Sequence, residues 1–420
     1  MIFSLIILVM IGVIAFFHYV QGVLSATLSA ILAIFAAVLA VSYTEPLVLK
    51  FFATGAFADY AYSAILVALF ALIYLVGRLL FDKAIPGNVQ LPVVADKVGA
   101  GVMGVVAGIF ATGIFAIAAE AMPFGTTFGM YSLYPATASR PVTITGDRRG
   151  LDATIYDEVR VMTLEDTKQR GGTWIQVADT VLGLTQHLSA GGSLAGARPL
   201  HRVHPDLMQE LFGQRTGIEV GARHVAANTD EVEQVRLVGV FTADRLPSAT
   251  GVPSSVRTVD EPNLLPPSGK TLLIIRLGFD ANASSENDIL HVSTGAVRLV
   301  AGDGTDPNRN WTNFFPVGTL HNSRVLLVNK PTDPLFLGAG NGADFVFLVD
   351  TAAIFNRQSD PQAPATIRDG TFVEAKRFGR IDLSGTEVRR ALPPAEETYN
   401  PFRTADVLQT AGQPVPARNR

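Results

Sequence analysis

The chain has 420 residues with 33 basic and 37 acidic side chains, but only nine of these charges (Glu45, Lys50, Asp59, Arg78, Asp82, Lys83, Asp96, Lys97 and Glu120) lie in the first 120 positions. The remainder keeps 29 positive against 32 negative residues. That balance lacks the long-range positive potential that holds phosphate backbones and excludes nucleic acid as an expected partner. Cysteine is absent, which rules out disulfides, thiolate nucleophiles, cysteine-held zinc and iron–sulfur clusters while leaving the compartment open.

No charge precedes Glu45, so the opening apolar stretch exceeds twice the ~20 residues that cross a bilayer and must fold back on itself. His18, Tyr19, Gln21 and Gly22 make the one polar, flexible break in it. The break predicts a first span from Ile2 to Phe17 and a second from Val23 to Tyr43. A third is expected from Ala61 to Phe81, with Arg78 close enough to its end to snorkel to the interface. The fourth runs from Val98 to Ala119, closed by Glu120 and Met122-Pro123. A cleaved signal peptide is disfavoured, because no basic cluster follows Met1 and the apolar character outlasts any cleavage site.

Four spans put both ends on one side of the lipid bilayer. The third loop carries Arg78, Lys83 and Lys97 against a lone Lys50 in the second. By this bias the first and third loops face the cytoplasm, and both termini and the soluble region are extracytoplasmic.

Helices in lipid associate by close packing of small side chains. In span four Ala100, Gly104, Gly108, Thr112 and Ala116 recur every fourth residue, and span two has a counterpart in Ser25, Ser29, Ala33 and Ala37. Both stripes are expected packing faces, available for helix contact within the chain or for self-association. Asp96-Lys97-Val98, followed by Gly104 and Gly108 at the start of a fourth span, resembles the colicin V production protein family. Gly77-Arg78 near the end of span three and Gly22 at the tight first turn are similar to that family too. The resemblance covers about 120 residues. It implies a four-span module in a bacterial cytoplasmic membrane and a role in toxin production or export and envelope maintenance. This chain departs from the family pattern at Gln21, Ser25 and Ala26, where relatives carry charged residues, and at Ala107, where a basic residue is common.

After a four-helix module at 1–122, residues 123–229 read as a connector rich in Gly, Thr, Pro and Tyr. Within it Trp174, Val177, Ala178, Val181, Leu184 and Leu188 fall at helical spacing, predicting an amphipathic helix over Thr173–Leu188. Its apolar face has two candidate partners, the soluble core or the membrane interface with Trp174 as anchor. A shorter helix is expected from Pro205 to Phe212. The period then changes to that of strands, at Gln234–Thr242, Thr271–Gly278, Ile289–Val300, Arg324–Asn329, Asp344–Asp350 and Phe372–Asp382. Separated by turns rich in Gly, Asn, Asp and Pro, they predict an antiparallel sandwich over 230–385. Residues 386–420 are polar and proline-bearing and are expected to be disordered or extended.

The fold class expected is therefore membrane α-helical, with four transmembrane helices, plus a mainly β soluble region. Sites of chemistry are scarce. His201 and His204 are spaced to share a helical face as metal ligands, but Pro205 disfavours helix at His204 and no carboxylate signature accompanies them. They read as solvated. The run from Gly338 to Asp344 reads as a hairpin turn rather than a phosphate loop, because it leads into a strand. Asp303 and Asp306 lack the oxygens a calcium ion needs. No nucleophile elbow or zinc-protease helix occurs, and the ionisable residues of the spans sit near their ends, against active transport. The expectation is a non-enzymatic chain without cofactor, metal or identified small-molecule substrate. A pore or transporter component, its path lined by Ser25, Ser29, Ser63 and Thr112, is the alternative.

Overall fold

The computed structural model describes residues 2–52, 57–84, 92–123, 127, 129–133, 140–148, 156–163, 171–190, 199–219, 234–249, 262–280, 283, 289–302, 311–321, 324–327, 334–338, 342–356 and 365–390. The expected acidic loop at 303–306 and most of the expected tail, 391–420, lie outside them. The chain divides into two compact units, one formed by Met1–Leu133 with Gly171–Phe212, the other by Tyr134–Arg170 with Gly213–Arg420.

Helices α1 (Ile2–Gln21), α2 (Val23–Phe51), α3 (Ala58–Ala84) and α4 (Val93–Ala121) are each long and apolar enough to cross a membrane. The helices outrun the expected spans. At 29 residues, α2 and α4 exceed the ~20 that cover the hydrocarbon, so their ends reach the interface, where charge is tolerated. Glu45 and Pro46, beyond the expected end of span two at Tyr43, therefore lie within α2. Successive helices are antiparallel, as the contacts of Arg78 with Ser25 and of Ser63 with Ala118 show. One end of the bundle carries Gly22, Arg78 and Asp96, the other Glu45 and Glu120.

The amphipathic helix begins at Val177 as α5 (Val177–Ala190) and is followed by α6 (Leu200–Val203) and α7 (Leu207–Glu219). Its buried face, with Val177, Val181, Leu182 and Thr185, packs on α4 and α2. Of the two expected surroundings, the buried face is thus taken up by membrane helices of its own unit. Gly113 supplies the reason: it leaves a notch in α4 where a Cβ would come within 2.5 Å of Val181 and 2.7 Å of the Val177 carbonyl. Trp174 stays 57% exposed.

The second unit is mainly β. Its strands are β1 (Arg140–Arg148), β2 (Tyr156–Thr163), β3 (Val235–Ala243), β4 (Leu246–Ala249), β5 (Pro262–Leu265), β6 (Lys270–Phe279), β7 (Ile289–Ser293), β8 (Val297–Gly302) and β9 (Trp311–Phe314). They continue as β10 (Gly318–His321), β11 (Arg324–Leu327), β12 (Pro334–Gly338), β13 (Gly342–Asp350), β14 (Ala365–Thr366), β15 (Phe372–Ala375), β16 (Gly379–Asp382) and β17 (Glu387–Arg390), with a one-turn helix α8 (Thr351–Ile354) after β13. An 11-stranded sheet runs in the order β14-β17-β3-β6-β13-β10-β11-β4-β5-β1-β2, and β16-β15-β8-β9 form a second sheet.

The strands β6 and β13 explain the sandwich. Leu273, Ile275 and Leu277, with Phe345, Phe347 and Val349, point to a core shared with Val297, Leu299, Val373 and Ala375 of the smaller sheet. The alternate residues Leu272, Ile274, Val346 and Leu348 build a second cluster on the opposite face with Phe241 and Leu246. Strands buried on both faces read as continuous apolar runs, and these two do.

Several strand expectations need correction. Ile289–Val300 is two strands split by a 3-10 turn at Thr294–Ala296, and Phe372–Asp382 is a hairpin rather than one strand. The glycine run after Gly338 does not close a hairpin, since β12 pairs with β7 whereas β13 pairs with β6 and β10. Strands also occur on either side of 230–385, because β1 and β2 come from the connector and β17 follows Ser384. Two short pairings, β11 with β4 and β17 with β3, are parallel.

Candidate functional site

Two polar constellations stand at opposite ends of the helical unit. The first forms where Gly22 breaks the chain between α1 and α2. Gly22 adopts φ 101°, in the region where a side chain is strained. A Cβ there would also sit 3.2 Å from both carboxylate oxygens of Asp96. Asp96 Oδ1 accepts the Val23 N–H at 2.9 Å, satisfying one orphan donor at the start of α2. Lys97 Nζ donates to the carbonyls of Tyr19 (3.1 Å) and Val20 (3.2 Å) at the end of α1. The acid therefore meets the positive end of one helix dipole, and the base the negative end of another.

Arg78 completes this end. It does not simply snorkel: its guanidinium reaches Ser29 Oγ at 2.9 Å, Ser25 Oγ at 2.8 Å and Asp82 at 3.1 Å. Beside it, Gly77 accommodates Leu32 so closely that a Cβ would come within 2.4 Å of that side chain.

Below this cluster, the small-residue stripe of α4 faces α1. A Cβ at Gly104 would lie 2.8 Å from Ala15 Cα, and one at Gly108 3.2 Å from Ile11 Cα. Ala100 and Thr112 are fully buried, the Thr112 hydroxyl donating to Gly108 O at 2.6 Å. In α2, Ser29 and Ala33 are buried as well. The α4 glycines thus serve contact within the chain, because α1 occupies the groove that a second copy would need.

The second constellation was not visible in the sequence. His204, 7% exposed, caps the end of α6, and each ring nitrogen meets a carboxylate. Nδ1 lies 2.5 Å from Glu210 Oε2 of α7, and Nε2 contacts Glu45 Oε2 of α2. With a carboxylate at each ring nitrogen, both nitrogens are placed to donate, an arrangement that favours the imidazolium. Burial pulls its pKa down, but attraction to Glu45 and Glu210, with their hydrogen bonds, outweighs this and raises it from 6.5 to about 9.

Neighbouring groups hold the backbone on either side of the ring. Gln186 of α5 donates to the carbonyls of His204 (2.8 Å) and Pro205 (3.0 Å), while Asp206 Oδ1 accepts the Gln209 N–H at 3.1 Å at the start of α7. The solvated reading of His204 is thus overturned. His201 is half-buried and forms no pair of metal ligands with it. Among the described residues no group of three His, Asp or Glu is arranged to hold a metal. Glu120 lies fully buried in the last turn of α4.

Both ring nitrogens are engaged by carboxylates, so the cluster ties its elements together through charge. Its chemistry is that of a charged clamp joining α2 to the segment carrying α6 and α7. The spacing Glu45…His204…Glu210 gives no local signal, and only the exclusion of His204 from helix by Pro205 was legible.

Comparison with known proteins found no family model, no curated protein and no solved structure that matches this chain. What the fold and these sites define is a class: an integral membrane protein with four apolar helices, followed by a mainly β region.

Proposed function

We propose that the chain is a non-enzymatic membrane scaffold of the colicin V production type, which holds its β-rich region at the outer face of a bacterial cytoplasmic membrane. On this reading it serves toxin production or export and envelope maintenance. The observation that carries it is the use made of Asp96 and Lys97, which close the turn at Gly22 by capping α2 and α1. The residues that suggested the resemblance thereby act as one structural device, as a shared architecture requires. The orientation rests on Arg78, Lys83 and Lys97 at that end of the bundle.

A second reading is an oligomeric pore or transporter component, favoured by Glu120, an ionisable side chain fully buried in the last turn of α4. The hydroxyls that would line its path are otherwise engaged: Ser25 and Ser29 bind Arg78, and Ser63 donates to Ala118 O at 2.8 Å. Ion and solute flux into liposomes containing the full-length chain separates the two. The scaffold reading expects flux equal to protein-free liposomes, and selective flux would contradict it.

A further inference from the structure

One end of the large sheet carries a cleft of about 800 Å³, within the range of small-ligand sites, ~300–1,000 Å³. Pairing of the strands assembles it. Arg390 lies opposite Thr242 in the parallel pairing of β17 with β3, and Arg245 follows the end of β3, so two arginines line the same cleft. Neither makes an ion pair or hydrogen bond with a described residue. Elsewhere in the sheets Arg276 is bound to Asp344, and Arg298 and Arg380 to Glu374.

The remaining lining is mixed in polarity. Thr271 and Thr351 bring their hydroxyls together at 2.7 Å. Phe355 packs against the sandwich core and also borders the cleft, and Arg368 holds the adjacent turn through the carbonyls of Ala352 (2.7 Å) and Phe355 (3.3 Å). Asn356 spends its amide nitrogen on Thr366 and Ile367, which leaves its oxygen to accept. Among the described residues of the lining, Asp244 is the one acid against Arg245 and Arg390, so their formal charges sum to a net positive.

We propose that this cleft binds an anionic sugar. Guanidinium groups take a carboxylate or phosphate through paired hydrogen bonds, the hydroxyls and the Asn356 oxygen suit sugar hydroxyls, and the phenyl group of Phe355 suits the apolar side of a pyranose ring. A hexuronate and a sugar phosphate share this chemistry.

Titration calorimetry of the full-length protein in detergent, with glucuronate, glucose 1-phosphate, glucose and inorganic phosphate as separate probes, tests the proposal. Saturable binding is expected for at least one anionic sugar, and which one saturates identifies the oxyanion. Glucose and inorganic phosphate should each bind at least about tenfold more weakly, a difference of ~1.4 kcal/mol. The pair R245Q and R390Q should weaken anionic-sugar binding by a similar factor with an unchanged Tm, since both side chains are exposed. F355A should weaken the sugar more than inorganic phosphate. Absence of saturation by either anionic sugar up to ~10 mM, equal binding of glucose, or wild-type affinity in the arginine variant would overturn the site. Inorganic phosphate binding as tightly as glucose 1-phosphate would overturn its assignment to sugars.

Discussion

Asp96 and Lys97 are neighbours in sequence that act on different helices, and this division of labour makes their roles separable. Asp96→Ala removes a charge-assisted cap from α2 and is expected to cost about 1–2 kcal/mol; Asp96→Asn, which keeps an acceptor, should cost less. Thermal unfolding in micelles reads both, and equal Tm values for wild type and Asp96→Ala would show that the cap contributes nothing. At the opposite end the linkage of His204 has a definite sign. A histidine whose folded pKa lies above its unfolded value stabilises fully below that value and loses the contribution as pH rises through the folded pKa. Attachment of α5–α7 should therefore be firm below pH 6.5 and weaken as pH passes about 9. Hydrogen exchange at Val177–Ala190 should report this, with the pH dependence reduced in Glu45→Gln. In the sheet, Arg276 and Asp344 are 2% and 1% exposed and joined through two hydrogen bonds of 2.7 and 2.9 Å. Asp344→Ala strands a buried guanidinium and is expected to cost roughly 3–5 kcal/mol in chemical denaturation.

Packing of whole elements turns on where glycine permits close approach. Gly104 and Gly101 lie on the same helix, yet a Cβ at Gly104 meets Ala15 Cα at 2.8 Å while one at Gly101 meets only Tyr19 Cδ2 at 3.9 Å. Gly104→Val is therefore expected to destabilise the bundle by about 1–3 kcal/mol through overpacking, and Gly101→Val to leave it nearly unchanged, in the same unfolding assay. Helix-scale features were the most legible part of the sequence, because an apolar run without charge has few folded alternatives in water or lipid. The docking of α5 was hidden: its amphipathic period marks a buried face without saying which surface buries it, and the notch at Gly113 belongs to a helix some 60 residues earlier. The β15–β16 hairpin was hidden for another reason. Its turn is Lys376, Arg377 and Phe378 at φ 49°, 49° and 71°, none of them a residue that marks a turn. The His204 clamp needed tertiary structure outright, since its carboxylates come from positions 159 residues before and six residues after it.

At the scale of the molecule, the two units answer to different solvents. The β unit buries strands on both faces as a water-soluble domain does, whereas α1, α2, α3 and α4 leave residues such as Phe16, Phe35, Leu79, Leu80 and Val102 more than half exposed. Such surfaces are stable against lipid tails and costly against water. Reporter fusions after Arg140 and within Asp82–Asp96 are expected on opposite sides of the membrane, the first outside; both in the cytoplasm would undo the proposed orientation. The central claim, that the first four helices are embedded in lipid, is tested most directly by washing membrane vesicles with alkaline carbonate. The intact chain should remain in the pellet, and its release into the supernatant would contradict the account.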